Sequence, residues 1–242
     1  MSQKTKAIIL AAGTCGRLGA LTADRPKCLL ELRGQALIAR QLMQLYRHEI
    51  QDVTVVTGYL GEKIHAFLKD RVEYRTYPHF SETNNLHTLY YCRDLLSGDL
   101  LILFSDVLTE DRALSSCLAN RHDFALLVET SEVRPGTMRV RLDGGLVTDI
   151  GSHIPVSSGD GNFIGIAKYS ARATALLKAE IEAAVRQRGF DEAYYTQVLP
   201  MIAQAGHLVN AVPLNGARWF EIDTIEDYER AQRETFYDAQ PF

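Results

Sequence analysis

The sequence predicts an α/β fold whose central, mostly parallel sheet is covered by helices on both faces. Three observations carry that expectation. Short, wholly apolar runs in the first half read as strands buried on both sides. Segments with apolar residues at helical spacing lie between them, and strands alternating with helices indicate parallel crossovers. After Phe124 the pattern changes to short strands punctuated by turn signals, so the second half is richer in meanders.

The first run, Ala7 to Ala12, opens straight into a glycine loop. Leu37, Ile38, Leu42, Leu45 and Tyr46 fall on one helical face. Val53 to Thr57 is β-branched and stops at Gly58, which predicts a second buried strand. Glu62 to Leu68 is expected to be helical, Val72 to Thr76 extended and His87 to Leu96 helical. Leu100 to Phe104 is a further apolar strand that delivers Asp106 at its carboxyl end. Phe124 to Glu129, Met138 to Leu142 and Leu146 to Ile150 read as strands, with Pro135-Gly136 and Gly144-Gly145 as turns. Phe163 to Tyr169 is another strand, and Ser170 is placed to cap a helix running to Arg188. Asp191 to Ala205 is expected to be helical, and Leu208 to Val212 and Trp219 to Ile222 to be strands. Thr224 caps a final helix through Glu234. With no internal repeat or low-complexity linker, one domain over residues 1–242 is expected.

Composition removes several classes of function. Lys and Arg total 26 against 30 Asp and Glu, a net charge of −4 without a basic run, which argues against nucleic-acid binding. The longest apolar stretches fall far short of the roughly 18–20 residues that a spanning helix needs, so no membrane insertion is expected. Met1 to Lys6 is polar, unlike a signal-peptide core. The four cysteines lack CxxC spacing, which weakens zinc and redox readings and favours a reduced, cytoplasmic setting. Cys92 and Cys117 fall in apolar helical segments as small core residues.

The segment Leu10-Ala11-Ala12-Gly13-Thr14-Cys15-Gly16-Arg17-Leu18, continuing to Pro26-Lys27, carries the strongest chemical signal. Glycines after a buried strand let backbone N–H groups approach phosphate oxygens, and flanking cations balance the charge. Neither the Gly-Lys-Ser/Thr ending of a P-loop nor the dinucleotide glycine spacing is present. Asp106 and Asp223 each close an expected strand, where ligands of open α/β sheets bind. Two carboxylates meeting there require a cation between them, and Mg²⁺ is held by one or two carboxylates plus substrate phosphates. The alternative for Asp223 is a helix cap ahead of the last helix. Lys168 lies on a half-buried strand, where a lysine ordinarily snorkels outward.

These residues resemble the nucleotidyltransferase signature LAAG-x-G-x-R-L followed by a threonine and Pro-Lys-x-Leu. Thr83-Asn84-Asn85-Leu86-His87-Thr88-Leu89-Tyr90 is similar to the Asn-Asn-aromatic-Ser-Leu region of bacterial phosphocholine cytidylyltransferases. Gly161 to Ser170 looks like the Gly-x-Tyr-Ile-Gly-x-x-Lys-Phe-Ser stretch of phosphonate-associated cytidylyltransferases, and Trp219 to Thr224 like the terminal Glu-Ile/Val-Asp-Thr/Ser motif of both. One departure is that the family's second glycine falls at Cys15, with Gly16 one position later. A positive φ at Cys15 would strain the loop by roughly 1–2 kcal/mol.

The resemblance implies a Rossmann-like three-layer α/β/α fold of the nucleotide-diphospho-sugar transferase type, with a mixed, mostly parallel sheet. Residues 1 to about 123 would form the nucleotide-binding half and about 124 to 242 the acceptor-binding half. It implies a Mg²⁺-dependent cytidylyltransferase that joins CTP to a small phosphate or phosphonate acceptor, such as phosphocholine or 2-aminoethylphosphonate, and releases pyrophosphate. Arg17 and Lys27 would hold the triphosphate with Leu10, Ala11, Ala12 and Gly13. Asn84 and Thr88 would lie near the base, Lys168 would neutralise the acceptor or the α-phosphate, and Asp106 and Asp223 would ligate the metal. The cluster Phe190 to Tyr195 reads either as a plain helix start or as an acceptor site. In the second case Glu192 with Tyr194 or Tyr195 would hold a cationic end group. A sugar-1-phosphate nucleotidyltransferase using another NTP, or a non-catalytic nucleotide-binding regulatory protein, are the alternatives. The oligomeric state stays open, with a homodimer as one candidate.

Overall fold

Strand β1 (Lys6–Ala11) is apolar and buried from Ala7 onward, and both of its faces are covered. In the computed structural model, which describes residues 4–14, 16–187, 190 and 192–234, Ile8 and Leu10 join one hydrophobic core, while Ala7, Ile9 and Ala11 join another on the opposite face. Three layers follow directly from that division.

A hairpin of β2 (Glu31–Leu32) and β3 (Gln35–Ala36) leads into α1 (Leu37–Arg47), and β4 (Val53–Thr57), α2 (Gly61–Leu68) and β5 (Glu73–Thr76) come next. Helix α3 (Asn85–Tyr91) precedes β6 (Leu100–Phe104), a short β7 (Val107–Thr109) and α4 (Asp111–Ala119). The second half contains β8 (Phe124–Glu129), β9 (Met138–Asp143), β10 (Leu146–Gly151), β11 (Gly161–Tyr169) and α5 (Ala171–Val185). It ends with α6 (Leu199–Gln204), β12 (Val209–Pro213), β13 (Trp219–Glu221) and α7 (Ile225–Glu234). The main sheet runs β5-β4-β1-β6-β11-β8-β12-β10-β9. Strands β5, β4, β1 and β6 are mutually parallel, whereas β11 is antiparallel to both β6 and β8. The sheet is therefore mixed, with four consecutive parallel strands from the first half and one further parallel pair, β8 with β12, in the second. Helices α3, α5 and α6 lie against the face of Ile8 and Leu10; α1, α2 and α4 lie against the other. Among the described residues no helix is long and apolar enough to cross a membrane.

Most expected elements are present, and four differ in informative ways. The helix expected to reach Leu96 ends at Tyr91, where Cys92 takes φ −92 and ψ 19 and closes the last turn. The helix expected to continue to Arg188 ends at Val185, still capped at its start by the Ser170 side chain, which accepts from Ala173 N. The helix expected over Asp191 to Ala205 is not continuous. Glu192 lies in a turn, Tyr195–Val198 is a single 3₁₀ turn, and α6 begins only at Leu199 with Pro200 in its first turn. Strand β7 was not expected at all. It pairs antiparallel with β13, matching Trp219 to Thr109, Phe220 to Leu108 and Glu221 to Val107. The Gly144-Gly145 hairpin turn is present, both residues at positive φ (55° and 85°).

Candidate active site

The carboxyl ends of β1 and β6 and the β7–β13 ribbon open onto a cavity of about 280 Å³. Leu10, Ala11, Ala12 and Gly13 form one side of it, and Pro26, Lys27 and Cys28 another. The first turn of α3 contributes Asn84, Asn85 and Thr88. Close packing behind the loop depends on Gly58, since a Cβ there would come within 2.6 Å of Ala12 O. The neighbouring Tyr59 N donates to that same oxygen at 3.0 Å.

Asp106 and Asp223 meet because of the ribbon. Ile222 N donates to Asp106 O at 3.1 Å, extending the β7–β13 ladder by one pair and setting Asp223 beside Asp106. Gln41, buried on α1, donates to Phe104 O (2.7 Å) and Val107 O (2.8 Å), which clasps the turn carrying Asp106. Below the ribbon, Leu18, Leu30, Leu32, Leu37, Leu108, Phe220 and Ile222 make a small separate core. Asp223 is not the cap of α7. Thr224 and Asp227 do that reciprocally, Asp227 N donating to Thr224 Oγ1 (3.1 Å) and Thr224 N to Asp227 Oδ2 (3.0 Å). The carboxylate of Asp223 is left to face the cavity.

There Lys27 Nζ lies 2.7 Å from Asp106 Oδ2 and 2.6 Å from Asp223 Oδ1, and Arg17 Nη2 lies 2.9 Å from Asp223 Oδ2. The Lys27 side chain is only 10% exposed, so both contacts are shielded from water, whereas Arg17, paired with Asp223, is 61% exposed. Asp106 Oδ1 is buried without a hydrogen-bond partner among the described residues. A buried, unpaired carboxylate oxygen is costly, and a hard divalent cation would satisfy it. Among the described residues no group of three or more His, Cys, Asp or Glu is arranged to hold a metal by itself. Two carboxylates plus substrate oxygens suit Mg²⁺, which ordinarily keeps non-protein ligands. The residues present therefore fit Mg²⁺ as a partly substrate-held ion. Glu221, two residues before Asp223 on the same side of the ribbon, also lines the cavity. Burial and the neighbouring carboxylates of Asp106 and Asp223 push its pKa well above the ordinary range, with Lys27 pulling the other way.

Ten of the residues expected from the sequence line this cavity with their neighbours: Leu10, Ala11, Ala12, Gly13, Arg17, Lys27, Asn84, Thr88, Asp106 and Asp223. Tyr194 joins them from the far side, with Gly136, Thr137, Met138 and Ser152. Three residues do not arrive. Lys168 pairs in register with Leu101 near the start of β6, and β11 runs antiparallel to it, so Lys168 sits toward the opposite end of the sheet. Its ammonium donates to the backbone oxygens of Leu118 and Asn120 at the end of α4. Tyr195 is fully buried, edge-on to Phe104 and hydrogen-bonded to Tyr169. Tyr194 is extended and turned outward, just ahead of the 3₁₀ turn that carries Tyr195 inward. Glu192 is exposed and outside the cavity lining. Cys15 and Asp191 lie outside the described residues. Sequence reasoning missed Glu221, although its two-residue spacing from Asp223 was the available signal. It also missed Phe80, Thr137, Met138 and Ser152, which no local pattern marks.

Comparison with known proteins identifies the family and the fold. The chain is 25% identical to CTP:phosphoglutamine cytidylyltransferase of Campylobacter jejuni, covering 92% of this chain and 97% of the relative. It is 28% identical to the CMP-5'-(3-aminopropyl)phosphonate synthase of Streptomyces rubellomurinus, covering 93% of this chain but 38% of that longer protein. The structure of CTP:phosphocholine cytidylyltransferase from Streptococcus pneumoniae superposes with a TM-score of 0.79 over 96% of this chain and 99% of the other, at 22% identity, which establishes the shared nucleotide-diphospho-sugar transferase-like fold. Residues 7–135, which hold the glycine loop, Lys27, Asn84 and Asp106, match the model of the MobA-like NTP transferase domain. The chain belongs to that family and is a nucleotidyltransferase.

Proposed function

We propose that this nucleotidyltransferase is a Mg²⁺-dependent cytidylyltransferase that transfers CMP from CTP to a small phosphate or phosphonate. The observation that carries it is the shielded Lys27 ammonium held between Asp106 and Asp223 at the mouth of a glycine loop. Choice of the base rests on the two relatives named above, a CTP:phosphoglutamine cytidylyltransferase matched over 97% of its length and a CMP-5'-(3-aminopropyl)phosphonate synthase matched over 38% of its own.

An oxygen of the acceptor, already anionic near neutral pH, attacks the α-phosphorus of CTP. The new P–O bond forms as the α–β bridging P–O bond breaks, and its electron pair leaves on pyrophosphate. No proton has to be removed from the nucleophile, so the reaction needs no Ser, Cys or His base. Positioning and charge balance supply the rate. The amides around Gly13, with Lys27 and the exposed Arg17, would hold the triphosphate. Asn84 and Thr88 would border the base, an amide being able to donate and accept there. Mg²⁺, held by Asp106 and Asp223, would neutralise charge developing on phosphate oxygens. The acceptor would enter against Tyr194, Met138 and Thr137, on the half beyond about residue 123.

Pyrophosphate release is the test, measured with each of four NTPs against phosphocholine, 2-aminoethylphosphonate and glucose 1-phosphate, with Mg²⁺ or with excess chelator. CTP with a phosphate or phosphonate acceptor, silenced by chelation, is the expected result. Turnover only with a sugar phosphate and another NTP would reassign the substrate, and none with any pair would overturn the reading.

A further inference from the structure

The far wall of the cavity is built on a different principle from the rest. Gly136, Thr137, Met138 and Ser152 belong to the segments that enter β9 and leave β10, and β9 pairs with β10 on one side and with β11 on the other. Two buried polar side chains hold those segments. Asn162 on β11, fully buried, stands opposite Arg139 of β9 in the sheet register. Its Oδ1 accepts from Arg134 N (3.0 Å) and Thr137 Oγ1 (2.8 Å), and its Nδ2 donates to Glu132 O (2.5 Å). Arg139, itself 7% exposed, donates through Nη1 to Arg134 O (3.4 Å) and Thr137 O (3.3 Å). Through Nε it donates to Ile154 O and through Nη2 to Ser152 O.

Among the described residues no carboxylate lies within ion-pair distance of Arg139. Burying a guanidinium on carbonyl dipoles alone is an expensive way to join two strands, and an apolar pair would serve a plain sheet at least as well. What the fork provides is geometry: a planar donor set reaches two separate segments at once, which a lysine cannot do. All of its bonds end on residues 134–137 and 152–154, the segments that line the cavity.

We propose that Arg139 and Asn162 are positioning residues that fix the acceptor-side wall of the site, and through it the fit of the acceptor but not of the nucleotide. The inference rests on the reading that the acceptor occupies this side. A link to the reacting end exists as well. The Arg134 guanidinium, on the clamped segment, lies 5.2 Å from the Trp219 ring centroid, at the start of the strand leading to Glu221 and Asp223.

The test combines hydrogen–deuterium exchange with steady-state kinetics on Arg139→Lys and Asn162→Asp. Exchange over residues 132–138 and 152–155 should rise at least about tenfold, while β1, β4 and β6 stay unchanged. With phosphocholine or 2-aminoethylphosphonate as acceptor, its KM should rise at least about tenfold and that for CTP stay within about twofold. A generally weakened fold would raise exchange everywhere and both KM values together, and either pattern overturns the proposal, as does exchange that does not change. If the wild type turns over neither acceptor, the functional reading fails alone, and exchange still decides the clamp. Should either variant not fold, Thr137→Val removes a single donor to Asn162, and local exchange should still rise a few-fold.

Discussion

Lys27 and Asp223, 196 residues apart in sequence, are joined by a 2.6 Å charge-assisted hydrogen bond. The same ammonium reaches Asp106 at 2.7 Å, so one lysine screens two carboxylates that would otherwise repel each other. Short bonds of this kind are roughly twice as strong as neutral ones. A cation therefore already stands where negative oxygens must gather, which makes the acidic pair compatible with a triphosphate.

Removing that cation should be severe. Lys27→Ala is expected to lower kcat/KM by at least about 100-fold, roughly 2.7 kcal/mol of lost transition-state stabilisation. Circular dichroism on the same sample checks the fold. Activity within a few-fold of wild type in a folded variant removes Lys27 from the chemistry.

Asp106→Asn and Asp223→Asn should each lower kcat/KM by at least about 100-fold and blunt the response of the residual turnover to added Mg²⁺. Both would act through one ion, so the double variant should be little worse than either single one. Multiplicative losses in kcat/KM would mean that the two carboxylates work independently.

How much of this was legible beforehand depended on how local the signal was. The glycine loop, Lys27 and the strand ends were readable because each depends on residues adjacent in sequence. Strand β7, only three residues long, was not, so the meeting of Asp106 and Asp223 could be expected from their places at strand ends but not the means, pairing between Val107 and Glu221. Lys168 fits a motif, yet its direction is set by antiparallel pairing of β11 with β6, a tertiary fact. The Arg139–Asn162 clamp was equally hidden, since neither residue's burial shows in the local pattern.

Two thiols make alkaline pH destabilising. Burial pushes Cys92 up to about 11 and Cys117 up to about 12, against an ordinary value of 9.0. Because the folded pKa is raised, the protonated form is favoured by folding. That stabilisation is complete below pH 9 and is lost as pH climbs toward 11 to 12, by at most about 1.4 kcal/mol per unit for each thiol. Tyr169 and Tyr195 are shifted in the same direction from 10.0, so their share begins about one unit later. Tm measured between pH 8 and 10 should fall, and Cys92→Ala with Cys117→Ala should flatten the slope even while lowering the plateau. An unchanged slope rejects the thiols as its source.

The acceptor end separates two adjacent tyrosines. Tyr194, 37% exposed, lines the cavity, whereas Tyr195 is fully buried against Phe104 and Tyr169. An aromatic face attracts an ammonium group by roughly 0.5–2 kcal/mol, which corresponds to about a 2- to 30-fold change in binding. Tyr194→Leu should therefore raise KM for phosphocholine or 2-aminoethylphosphonate within that range and leave KM for CTP nearly unchanged. Tyr195→Leu should act on stability instead, through lost packing and an orphaned Tyr169 hydroxyl, at a cost of about 1–3 kcal/mol. Glu192, exposed and outside the cavity, gives a control: Glu192→Gln should move neither KM. Chemical denaturation separates the first two variants from each other, and acceptor titrations separate both from the third. If Tyr194→Leu leaves the acceptor KM where it was while the enzyme prefers a cationic acceptor, the ammonium group is held elsewhere on that wall.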